Sequence, residues 1–95
     1  MERIGKTVRT EDYLQFLRSK GFQFNEDAIG FIYLGKKYTS ASDELTNVAI
    51  ELTLKAQISF EGSFYISLLE LFMANQIKSR TDAINFVRDR QLIAI

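Results

Sequence analysis

Apolar residues recur along this chain in blocks separated by short polar breaks, and their spacing assigns most blocks to elements. Residues 1–9 are polar and basic apart from Ile4 and Val8, and read as a flexible basic arm or a first extended segment. Thr10 has the position of a helix N-cap, followed by Glu11 and Asp12, whose charge suits the positive end of a helix. Tyr13, Phe16 and Leu17 share one face with Leu14 at its edge, and Lys20 and Gly21 supply the stop.

The stretch FQFNEDAIGFIYLGKKYT breaks that period. Phe22 and Phe24 alternate with Gln23, and NED is a turn signal. Ile29, Phe31 and Tyr33 then fall on one face of a second strand, with Ile32 and Leu34 on the other. Gly35 and Lys36 make a second tight turn, from which Tyr38 opens a third strand. A hairpin or small three-stranded meander is expected here, with helices against its aromatic face.

Helical spacing returns afterwards. Ser40 and Ser42 both offer a cap, and the helix beyond them runs to about Lys55 or Ile58. Leu45, Val48, Ala49, Leu52 and Ala56 make its face, widened by Ile50, Leu54 and Ile58, as suits a central helix. Residues 59–63 interrupt the pattern, and a second apolar helix is expected from Phe64 to Asn75 or Gln76. Ser79 caps a last helix with Ala83, Ile84 and Val87 inward and Phe86 at the margin. The fold class expected is α+β: an N-terminal helix, a small antiparallel β-hairpin or meander and a three-helix C-terminal bundle, in one domain over residues 1–95.

Composition narrows the chemistry. The 95 residues include no cysteine, histidine, proline or tryptophan. A disulfide framework is therefore ruled out, and a reducing cytoplasmic setting is expected. A zinc site is not expected, nor any other metal or cofactor, and the commonest general base is missing. Asp43 and Glu44 are adjacent first-turn residues, Glu51 and Lys55 form an i,i+4 pair, and Glu61 and Glu70 stand alone. An enzyme is not expected. No apolar run approaches 18 residues, so no membrane span is expected. Twelve Lys and Arg balance twelve Asp and Glu, which does not favour a large phosphate-binding surface but leaves room for a local basic patch.

Two interaction surfaces compete. Phe64 to Ser79 followed by the last helix has the order of a helix–turn–helix, with Arg80, Asn85 and Arg88 placed to read base edges. Lys78 and Arg90 add charge, and Lys36 and Lys37 at the hairpin tip have the place of a wing reaching a phosphate. The same lysines equally suit the solvent side of a hairpin, and the same helix equally suits the end of a bundle. Alanine at Arg80 and Arg88 is expected to weaken DNA binding with little loss of stability. Phe22, Phe24, Phe31, Tyr33 and Tyr38 serve either as core or as a stacking platform. The alternative is a protein–protein adaptor or inhibitor, contacting a partner protein or a second copy through Tyr33, Tyr38, Leu92, Ile93 and Ile95.

The stretch from Leu34 to Arg90, a strand ending in GKKYTSASDELTNVAIEL followed by FYISLLELFMANQIKSRTDAINFVRDR, resembles the small helical region of phage and mobile-element primase–helicase proteins of the virulence-associated E type. Asp43, Leu45 and Ile50 match its first helix, Leu68, Leu71, Ala74 and Asn75 its second, and Ile84, Phe86 and Val87 its third. That family's His-Pro pair and ATPase core have no counterpart here. The resemblance implies a non-catalytic accessory module that binds DNA or a partner protein in the replication or regulation of a mobile element.

Overall fold

In this computed structural model, which describes residues 8–93, the stretch expected to form a hairpin is a helix. Five helices follow one another: α1 (Thr10–Ser19), α2 (Glu26–Thr39), α3 (Asp43–Gln57), α4 (Gly62–Ala74) and α5 (Arg80–Asp89). No strand occurs among the described residues, so the α+β expectation is corrected to all-α. Residues 1–7 of the expected basic arm, and Ile95, lie outside the described residues.

The physical reason lies in the ends and inner face of α2. Asn25, read as part of a turn, is the N-cap: its side chain accepts the Ala28 N–H at 2.8 Å. Glu26 and Asp27 then occupy the positive end, and Lys36 and Lys37 the negative end. Ile32 and Gly35 are buried, while Ala28, Ile29, Lys36 and Thr39 are half-buried. Those positions repeat every three to four residues. Ile29, Phe31 and Tyr33 also satisfy the two-residue period, which is how an unbroken apolar run imitates a strand.

Four of the helices share one form of closure, and only one of them uses glycine for it. α1, α2, α4 and α5 all close with a backbone N–H reaching back five residues: Phe22 to Leu17, Ala41 to Lys36, Ile77 to Phe72 and Leu92 to Val87. The left-handed residue this closure needs is glycine only after α1, at Gly21. Ser40, Gln76 and Gln91 fill the position in the other three, so no glycine marks those ends.

α3 is the centre. α1, α2, α4 and α5 all pack on it, and α2 also packs closely on α4. Leu45, Val48, Ala49, Ile50 and Leu52 are buried together with Tyr65, Leu69, Phe72, Ala83 and Val87. Ile58, expected to widen the buried face, instead lies beyond the helix end and is exposed. Phe24 joins the core, whereas Phe22 and Phe31 remain partly exposed.

Thr10 is the first residue of α1, not its cap. Its N–H and hydroxyl both donate to Asp43 Oδ1, at 3.2 and 2.9 Å, tying the start of α1 to the start of α3. Burial pushes the Asp43 carboxyl up, but the two Thr10 bonds and the Lys36 ammonium at 3.5 Å outweigh it and hold it below the ordinary value. A carboxyl depressed in the folded state contributes stability that is present above its unfolded pKa and lost as pH falls through its folded one. The stability of the chain is therefore expected to fall as pH drops below about 4, the ordinary carboxyl range. Asp43→Asn is expected to be less stable than wild type at pH 7, with the gap closing in acid. Urea unfolding of both chains at pH 7 and pH 3 checks this, and a gap that persists in acid contradicts it.

Candidate functional site

α2 has two faces with different fates. Its inner face is fixed. A Cβ at Gly35 would lie 2.9 Å from Tyr65 Cε2 and 3.2 Å from Ile66 Cγ1, so only glycine lets α2 and α4 approach this closely. The Tyr65 hydroxyl donates to the Ile32 carbonyl at 2.6 Å, anchoring the ring beneath that glycine. Gly35, expected at a hairpin tip, is thus a packing residue inside a helix.

The outer face is open. Phe31, Leu34 and Tyr38 recur at three- and four-residue spacing and are 43%, 61% and 73% exposed. Phe31 is seated with part of its ring over Gly62 at the start of α4, where a Cβ would lie 2.7 Å from its Cγ. Beside the stripe, Gly30 is exposed, and a Cβ there would meet no other part of the chain within 4 Å. Glycine costs a helix roughly 1 kcal/mol relative to alanine. Packing within the chain accounts for that cost at Gly35 but not at Gly30.

The residues singled out for nucleic acid are mostly engaged within the chain. Arg80 donates to Glu51 through Nε at 3.2 Å and Nη2 at 2.7 Å, and its backbone N–H donates to Glu44 at 2.8 Å. It joins the start of α5 to α3 rather than presenting a free guanidinium. Arg88 donates to the Asn85 side chain. The Arg90 guanidinium lies 4.5 Å from the Phe86 ring centroid. Lys36 is half-buried against Asp43, and with Lys37 it sits in the last turn of α2, not at the tip of a wing. Lys37 and Lys78 form no ion pair among the described residues.

The Arg80 geometry revises the expected effect of its replacement. Arg80→Ala removes the two-pronged pair and is expected to lower stability by about 1 kcal/mol, a modest figure because both side chains are partly solvated. Urea unfolding at low and high salt measures it. An unchanged midpoint would contradict the structural role.

The residues proposed for a protein contact divide. Tyr38 and Leu92 are exposed, but Ile93 is buried in the chain's own core and is not available to a partner. Tyr33 is partly exposed, and its phenol is pushed up first by burial and then by Glu11 and Asp43. Phe31 and Leu34, expected on opposite faces of a strand, stand with Tyr38 on one helical face. The signal that reveals them is the helical charge order, with Asn25, Glu26 and Asp27 before the apolar run and Lys36 and Lys37 after it.

Among the described residues no helix is long and apolar enough to cross a membrane. The strand expected to lead into the first helix of the primase–helicase resemblance is the second half of α2. A family of unknown function, DUF6123, matches residues 5–93, and the chain belongs to that family. No curated protein and no solved structure matches the chain.

Proposed function

We propose that this family member is a non-catalytic protein-interaction module without nucleic-acid binding, and that the outer face of α2 is its contact surface. The observation that carries the reading is the stripe of Phe31, Leu34 and Tyr38, three large apolar side chains exposed side by side on one helix. Contiguous apolar surface of this kind belongs to contact sites, and aromatic anchors dominate their binding energy. The pairing of Arg80 with Glu51 and of Lys36 with Asp43 supports the same reading, since a phosphate-binding surface needs free positive charge. The formal net charge of zero adds no attraction for a polyanion. We place the module in the cytoplasm, a reducing setting that a chain without cysteine tolerates.

The test uses the chain in its native cells with a photo-reactive amino acid replacing Leu34, and in parallel replacing the exposed Gln15 of α1. Irradiation is expected to give a discrete protein adduct from position 34 and none from position 15. No adduct from position 34, or an adduct to nucleic acid, would overturn the reading.

A further inference from the structure

We propose that the partner of this face is a second copy of the chain, with the two α2 helices packed antiparallel across a twofold axis. The inference rests on the reading of α2 as the contact surface and adds the identity of what covers it.

The spacing of the stripe carries the argument. Asp27, Phe31, Leu34 and Tyr38 are separated by four, three and four residues, a sequence of steps that reads the same in both directions. Reversing one copy against the other sets Phe31 opposite Leu34 of the second copy, twice, at the centre. It also sets Asp27 opposite Tyr38 at both ends, a carboxylate facing a phenolic hydroxyl that can donate to it. An isologous interface requires this self-complementarity, in which each position meets its counterpart in both copies.

Charge agrees with the same register. Glu26 lies at the start of α2 and Lys37 near its end, on the same flank of the stripe, and both are exposed. In an antiparallel pair Glu26 of each copy comes beside Lys37 of the other, as flanking charges do in paired helices. A parallel pair would put the two copies of this flank on opposite sides of the interface, where neither charge pair could form. Gly30 lies on that flank between them, and its missing side chain leaves room for the Lys37 stem of the second copy. This gives Gly30 the role that packing within the chain does not. Zero formal net charge also leaves two copies without overall repulsion. A contact built on one 14-residue helix, about 21 Å long, is small, so association belongs to the weak end of protein interfaces.

The test is sedimentation equilibrium of the full chain from about 10 µM to about 1 mM, the range that brackets a weak interface. The average mass is expected to climb from 11.0 kDa toward twice that value. Leu34→Glu should abolish the climb while helix content by circular dichroism is retained. Glu26→Lys and Lys37→Glu should each weaken association about tenfold, the loss of a charge pair made twice. An equimolar mixture of those two variants should associate again, because every like-charge contact in the separate variants becomes an opposite-charge contact between them. A mass fixed at one chain throughout, or a mixture no better than its components, would overturn the proposal. A monomeric chain that still yields an adduct to a different protein from position 34 removes the second copy and leaves the module. The absence of any adduct removes both.

Discussion

Gly35→Leu is expected to cost the fold about 3 kcal/mol, the upper range for forcing extra carbons into a packed core. Leucine is a better helix former than glycine by roughly 1 kcal/mol, so propensity alone predicts a gain. Space decides the sign. Even a Cβ meets Tyr65 Cε2 at 2.9 Å, and that ring cannot swing aside while its hydroxyl is bonded to the Ile32 carbonyl. Ile66 and Leu69 close the other sides, at 3.2 and 3.4 Å. Gly35→Ala should lose about 1 kcal/mol for the same reason, its helix gain outweighed by the displaced ring. Gly30 is the control. Its Cβ position is open, so Gly30→Ala should stabilise the monomer by about 0.5–1 kcal/mol. Urea unfolding of the variants at low concentration gives both signs in one experiment. A Gly35→Leu chain as stable as wild type would contradict the close approach of α2 and α4.

Tyr65→Ala is the second large effect. Tyr65 is fully buried, faces Phe60 with ring centroids 5.3 Å apart, and supports α2 from below. Removing a buried aromatic ring costs about 3–5 kcal/mol. Domains of this size have about 5–15 kcal/mol of stability, so the variant should lose a large share of it and melt well below the wild type. Tyr65→Phe isolates the hydroxyl and should cost only about 1 kcal/mol, because the Ile32 carbonyl still has its helical partner. Thermal unfolding followed by circular dichroism separates the two. Equal losses for Ala and Phe would mean that the hydrogen bond, not the ring, holds α2 in place.

How much of this was legible in the sequence varies along the chain. α3, α4 and α5 follow from apolar residues at helical spacing, and the Ser42 and Ser79 caps from hydroxyls placed before acidic first turns. α2 was not legible by periodicity, because residues 28–34 are almost continuously apolar and fit both a helix and a strand. Gly35 misled further, since a glycine beside lysines signals a turn when the close neighbour on another helix is unknown. Asn25 and Ser40 resolve the case only in three dimensions, one by capping Ala28 and the other by adopting a left-handed conformation without being glycine.

The site was partly legible for a related reason. Tyr38 and Leu92 stood out as exposed apolar candidates, and both are exposed. Arg80 stood out as a base reader because sequence spacing cannot show that Glu51, 29 residues away, sits beside its guanidinium. Phe31 and Leu34 were assigned to opposite faces by the strand reading, so their union with Tyr38 appears only once the segment is a helix.

The contact surface is claimed to be apolar and to meet protein rather than phosphate. The most direct test is a salt titration of the chain against labelled single- and double-stranded DNA, beginning at low salt. The expected result is no saturable binding at either strand state. Micromolar binding that weakens steeply as salt rises would contradict the claim, and its slope would count the phosphate contacts that Lys37, Lys78 and their neighbours make.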